Sequence, residues 1–127
     1  MKKINSKIYT IQKDYVSAHF QTINVQPEEN FYNNQCHRNA REYARRNKGT
    51  LIALVFLADE EQVILHCINC SKGKYLETTL GSECENWDYY LVKYCSSNSV
   101  CNDFNAMRSF MKRILPWYLR KFKFAIV

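Results

Sequence analysis

Cys36, His66 and Glu77 are the residues of this chain whose types and spacing fit nucleophilic chemistry. Cys36 opens a helix-patterned run in Asn33-Asn34-Gln35-Cys36-His37-Arg38-Asn39-Ala40, His66 stands thirty residues on in a strand-like run, and Glu77 follows across a tight turn. A thiol attacks a carbonyl carbon as its thiolate, and a helix N-terminus beside an imidazole lowers a cysteine pKa. An acid bonded to one imidazole nitrogen orients the ring and leaves the other nitrogen to take the thiol proton. Amides of the first helical turn, with the side chain of Gln35 or Asn34, are the candidate oxyanion donors.

The segment around His66 makes a geometric prediction. Gln62 to Cys70 and Lys74 to Thr79 read as a hairpin around Ser71-Lys72-Gly73. Setting His66 directly opposite Glu77 centres the turn between Ser71 and Lys72, and directly opposed side chains share a face with Cβ atoms about 5 Å apart. Asp88 is the fallback orienter, without that hairpin geometry.

This order resembles the papain-like superfamily, including the transglutaminase-like and NlpC/P60-like enzymes, in which a Cys at a helix start precedes a His and then an acidic residue on successive strands. Leu65-His66-Cys67-Ile68-Asn69-Cys70-Ser71-Lys72-Gly73-Lys74-Tyr75-Leu76-Glu77-Thr78-Thr79 looks like the His-strand, Gly-turn, acid-Thr pattern of transglutaminase-like domains. Cys36-His37-Arg38-Asn39-Ala40 resembles the Cys-His-x-Asn opening of small, often phage-encoded proteins. The resemblance covers residues 33 to 79. It implies an α+β fold with a papain-like core, the Cys-bearing helix packed on an antiparallel sheet, and acyl-group chemistry: amide hydrolysis, deamidation or transamidation. Glu77 departs from the commoner Asp or Asn by one methylene, and His37 replaces the aromatic that often follows the cysteine.

The elements that must position these residues follow from periodicity. Cys36, Ala40, Tyr43 and Ala44 recur at helical spacing, and Asn47-Lys48-Gly49 supplies a cationic last turn and a glycine stop. Thr50 to Ala58 is an apolar, β-forming run expected as a central strand, and Trp87 to Tyr94 reads as another strand. Asp103 is a plausible N-cap for a helix from Phe104 towards Ile114, ended by Pro116. Before Cys36 no clean period stands out; Ile8 to Ile11 is expected as a short strand, Ser17 to Ile23 as a weak helix or strand, Pro27 to Asn30 as a turn and Gly81 to Glu85 as a loop. The tail from Trp117 continues as a helix or finishes as a strand through Phe122, Phe124 and Ile126.

With 127 residues, one domain is expected, divided into an N-terminal segment 1–35, a core 36–94 and a C-terminal helix and tail 103–127. Net charge is +6, with basic clusters at Arg38, Arg41, Arg45 and Arg46 and again from Arg108 to Lys123. Arg38, Arg41 and Arg45 are candidates for substrate binding beside the thiol, and the partner is expected to be a protein or peptide-like substrate, such as a host protein. Without catalysis, the same basic helix reads as a nucleic-acid- or protein-binding face. Six cysteines without an apolar leader segment point to free thiols in a reducing cytoplasm. A structural zinc site would draw on Cys67-Ile68-Asn69-Cys70 with Cys84, Cys95 or Cys101, but no second CxxC exists. Neither a metal nor another cofactor is therefore expected. No apolar stretch is long enough for a membrane span.

Overall fold

A computed structural model describes residues 2–28 and 35–121. The described elements run α1 (Lys2–His19), β1 (Gln21–Ile23), β2 (Val25–Pro27), α2 (Cys36–Arg46), β3 (Leu51–Ala58), β4 (Val63–Ser71), β5 (Lys74–Glu77), a 3-10 helix (Gly81–Asn86), β6 (Asp88–Cys95), α3 (Val100–Arg113) and a short 3-10 turn (Trp117–Leu119). This is a mixed α+β arrangement with a mostly antiparallel sheet.

The sheet has the order β1-β6-β3-β4-β5-β2, with only β2 and β5 parallel. Asn24 alone separates β1 from β2, yet the two pair with strands at opposite ends of the sheet. One short stretch of chain thus supplies both edge strands, each three residues long, and curls the sheet round on itself. Ala53, Val55, Leu57, Ile64, Ile68 and Tyr89 fill the concave side together with Cys84. On the other side Ile52, Leu54, Phe56, Leu65 and Cys67 meet Val16, Ala40, Phe104 and Met111 from the three helices. Strand β3 is buried from Ile52 onward because both of its faces are covered.

Several expectations change. Residues 2 to 19 form α1 rather than a strand and a weak element. Ile4, Ile8, Ile11 and Tyr15 recur at helical spacing; their β-branched composition argues for a strand locally, but Ile8 packs against Leu115 and Leu119 beside Ile4 and Ile11, and that burial decides. Gln21 to Ile23 is a strand, and Pro27 ends β2 rather than opening a turn; residues 29–34 and 122–127, with the proposed turn's second half and the tail strand, lie outside the described residues. Gly81 to Asn86 is a 3-10 helix instead of a loop, and Gly81 has a positive φ of 59° at its start. The C-terminal helix begins at Val100 with Ser99 at its N-cap. Asp103 sits inside its first turn and pairs with Lys93 at 3.2 Å. No described helix is long and apolar enough to cross a membrane.

Candidate active site

Cys36 is the first residue of α2, as the sequence pattern requires. The first helical bond there is from the Asn39 amide to the Gln35 carbonyl, at 2.9 Å, so the amides of the opening turn give the thiol the positive end of the helix dipole. Gln35 makes no side-chain cap; its Oε1 accepts from the Arg38 guanidinium at 3.2 Å. Asn34, the other oxyanion candidate, lies outside the described residues.

The hairpin carrying His66 and Glu77 forms, with a register different from direct opposition. Its ladder pairs Asn69 with Leu76, Cys70 with Tyr75 and Ser71 with Lys74. The turn is therefore Lys72-Gly73, both with positive φ (52° and 77°), the geometry of a type I′ hairpin. Continued by one residue, this register sets Glu77 against Ile68, two positions from His66. A two-residue offset keeps Glu77 and His66 on one face but makes them diagonal neighbours, about 7–8 Å apart at the backbone. Glutamate spans that diagonal: His66 Nε2 lies 3.0 Å from both Glu77 carboxylate oxygens.

Glu77 is fully buried and held from four directions. Besides His66, it accepts from Tyr89 Oη at 2.5 Å, from the Thr79 amide at 3.0 Å and from the Leu80 amide at 3.1 Å. Burial opposes its charge, but His66, Tyr89 and the Leu80 amide together bring its pKa below the usual carboxylate value. An ionised carboxylate only accepts, so Nε2 of His66 carries the hydrogen and Nδ1 is the basic nitrogen. Nδ1 is buried and has no partner at strict hydrogen-bond geometry. Cys36 is nonetheless near enough for the ring and the thiol to perturb each other strongly.

The perturbation moves both groups towards charge. Cys36 is pulled from 9.0 to about 4, foremost by a hydrogen bond with the Cys67 thiol, against the effect of burial, and then by the hydrogen bond and charge of His66, with His37 adding charge. Burial works against the His66 cation, but the Glu77 carboxylate and the Cys36 sulfur outweigh it and raise His66 from 6.5 to about 10. Cys67, pushed upward by the same hydrogen bond with Cys36 and by burial, stays a thiol and is the donor. A thiolate and imidazolium at neutral pH follow. His66 and Cys67 are neighbours on β4 and point to opposite sides, yet Cys36 interacts with both. Its sulfur therefore lies at the margin of β4, beyond Asn69, where the described pairing with β5 stops.

A buried polar latch fixes α2 to this margin. Asn39 Nδ2 donates to Thr79 Oγ1 at 3.0 Å, Thr78 Oγ1 donates to Asn69 Oδ1 at 2.7 Å, and Asn69 Nδ2 donates to the Ala40 carbonyl at 2.9 Å. Asn39, one helical turn after Cys36, is thus tied to the residue two beyond Glu77. Sequence reasoning missed the parts played by Asn39, Asn69, Thr78, Thr79 and Tyr89. Helical spacing from Cys36 to Asn39, and a lone asparagine in an apolar strand, were the available signals; Tyr89 left none among so many strand aromatics.

Several other candidates are engaged elsewhere. Arg45 is engaged with Glu42, Nε to Oε2 at 3.1 Å, and Arg46 approaches the same carboxylate at 3.7 Å. Arg38 is exposed and Arg41 half-buried on α2. Asp88 is exposed at the start of β6, and Tyr89 rather than Asp88 reaches Glu77. His37 packs edge-on to Phe104 with ring centroids 4.6 Å apart. No group of described His, Cys, Asp or Glu residues is arranged to hold a metal ion. Cavities of about 610 and 410 Å³ open on the surface; Asp59, Glu60 and Trp87 line the first and Asn24, Cys84 and Tyr89 the second, while Cys36, His66 and Glu77 line neither. No protein-family model, curated protein or solved structure matches the chain.

Proposed function

We propose that this chain is a cysteine-dependent acyl-transfer enzyme with a papain-like arrangement, in which Cys36 is the nucleophile, His66 the acid–base and Glu77 the residue that orients it. The observation that carries this reading is the grip of Glu77 on His66 Nε2, which leaves the basic Nδ1 free of the carboxylate on a ring that perturbs a thiol already inclined to ionise. Buried cysteines are ordinary core residues, but an ordinary one has its pKa raised by burial rather than lowered.

In this mechanism the Cys36 sulfur forms a bond to the carbonyl carbon of an amide or ester. The Cys36 amide and Gln35 side chain are the nearest candidates to receive the oxyanion. Collapse breaks the bond to the leaving nitrogen or oxygen, which takes its proton from the His66 imidazolium, and a thioester remains on Cys36. Water or an amine, deprotonated by His66, then releases the acyl group. The substrate class is a protein or peptide-like amide, such as one on a host protein. Cys36 is only 1% exposed, so its sulfur has to be uncovered before a substrate reaches it.

Incubation with an activated thioester or aryl ester, followed by intact-mass and peptide mapping, tests the proposal. An acyl adduct on Cys36, absent in Cys36→Ala and strongly slowed in His66→Ala, is expected. Equal acylation with and without His66, or none on Cys36, would reject it.

A further inference from the structure

Much of the chain's positive charge lies outside α2, on α1 and on the stretch from Arg108 to Lys121. Residues 104–121 contain Arg108, Lys112, Arg113, Arg120 and Lys121 and no acidic residue, and α1 carries four lysines, Lys2, Lys3, Lys7 and Lys13, before its first acid at Asp14. These stretches meet in the fold: Ile8 packs with Leu115 and Leu119, which brings the start of α1 against the end of α3. Lys3 and Lys7, one turn apart on α1, are exposed, as are Lys112 and Arg113. On α2, by contrast, Glu42 partly neutralises Arg45 and Arg46.

Aromatic rings stand in the middle of this surface. Pro116 ends the helical path after α3 with an extended ψ of 149°, and the short turn that follows buries Leu119 while turning Trp117 and Tyr118 outward. Trp117 is 81% exposed and Tyr118 46%, with their rings edge-to-face at 6.0 Å. A shallow cavity of about 220 Å³ beside Tyr118 is lined by Ser6 and Lys7, a hydroxyl and an ammonium donor suited to a phosphate, and by Thr10, whose own hydroxyl donates to the Ser6 carbonyl at 2.9 Å. Arg120 is fixed here by its bonds to the Leu115 and Arg113 carbonyls at 3.0 and 2.9 Å, and so holds its charge in place.

We propose that this face of α1, α3 and the Trp117 turn binds single-stranded nucleic acid, with the cations on the phosphodiester backbone and Trp117 stacked on a base. Ordered cations beside an exposed aromatic match a strand whose bases are unstacked and whose backbone is uniformly anionic. A lipid surface fits less well, because among the described residues Ile4, Ile8, Ile11, Leu115 and Leu119 pack against one another and the exposed large apolar side chains of this face are the two amphipathic rings of Trp117 and Tyr118. An acidic protein would use the charges but leaves an almost fully exposed indole without a role.

Fluorescence anisotropy with labelled oligodeoxythymidine and oligouridine, at several salt concentrations, tests this on the full chain. Binding that weakens steeply with salt is expected, and the two oligonucleotides distinguish DNA from RNA. Trp117→Ala should weaken it about tenfold, as for loss of one stacked base. Lys112→Glu with Arg113→Glu should flatten the log–log salt slope by about 1.4. The charge-matched pair Lys48→Glu with Lys74→Glu, away from this face, should leave the slope nearly as it was. The proposal is overturned by absent binding at low salt, by equal effects of the two charge-reversal pairs, by an unaffected Trp117→Ala, or by preferential binding to phosphatidylserine vesicles.

Discussion

His66 and Glu77 meet at 3.0 Å although they are not partners across their hairpin, because the Lys72-Gly73 turn sets the line of Glu77 against Ile68. A direct pair would suit a short acid. A diagonal pair needs the extra methylene, which gives a physical reason for glutamate rather than aspartate at this position.

Glu77→Asp should therefore fail as a conservative change. The shortened carboxylate withdraws from His66 and Tyr89, leaving buried polar atoms without their partner, at about 1–3 kcal/mol in denaturant unfolding. Glu77→Gln keeps the length but removes the charge. The His66 pKa, read from its ring proton resonances, should then fall well below its value of about 10, since burial acts with less opposition.

Cys67→Ala tests the leading cause of the Cys36 shift. Without the thiol hydrogen bond the Cys36 pKa should rise from about 4 towards 9.0, followed by the ultraviolet absorbance of the thiolate. An unchanged titration would mean that Cys67 is a packing residue only.

The pH dependence of stability follows from the two opposed shifts. Cys36 is lowered in the fold from 9.0 to about 4, so its contribution is present above the unfolded pKa and is lost as pH falls through that range. His66 is raised from 6.5 to about 10, so its contribution is full below the unfolded pKa and is lost as pH rises. Between about pH 6.5 and 9 the folded pair has given one proton up and taken one on, and the slopes cancel. Tm should rise up to about pH 6.5, stay level to about 9 and then fall. Glu77, also lowered, adds to the loss in acid. In Cys36→Ala the plateau should become a decline beginning near 6.5, because His66 alone then titrates in that interval.

Much of this was legible in the residues. The periodicity of Cys36, Ala40 and Tyr43 located α2 to within a residue of its end, and continuous burial of Ile52 to Ala58 matched the apolar run read as a central strand. The curl of the sheet was not legible, since β1 and β2 are three-residue strands that draw their stability from β6 and β5 rather than from their own sequence. Helix α1 was hidden by β-branched residues whose partners, Leu115 and Leu119, lie a hundred residues away. In the site, residue types placed Cys36, His66 and Glu77 in order, but a one-residue error in the turn's centre changed a direct pair into a diagonal one. Asn39 and Tyr89 escaped notice because their hydrogen bonds join elements distant in sequence.

Asn39→Ala should show that the latch positions the thiol. Loss of its bond to Thr79 leaves a buried hydroxyl without that donor and should destabilise the fold by about 1–3 kcal/mol. It should also raise the Cys36 pKa, because the start of α2 is no longer tied to Thr79. Asn39→Asp, which replaces the donor to Thr79 with an acceptor and adds a buried charge, should be no better tolerated.

The most direct measurement is the pH dependence of Cys36 alkylation, resolved from the other cysteines by peptide mapping, in the native chain and in His66→Ala. A thiolate held by His66 should give a rate half-maximal near pH 4 and flat through neutrality, with the midpoint displaced upward in His66→Ala. A Cys36 rate that instead climbs through pH 9, with or without His66, would contradict the assignment of Cys36 as an activated nucleophile.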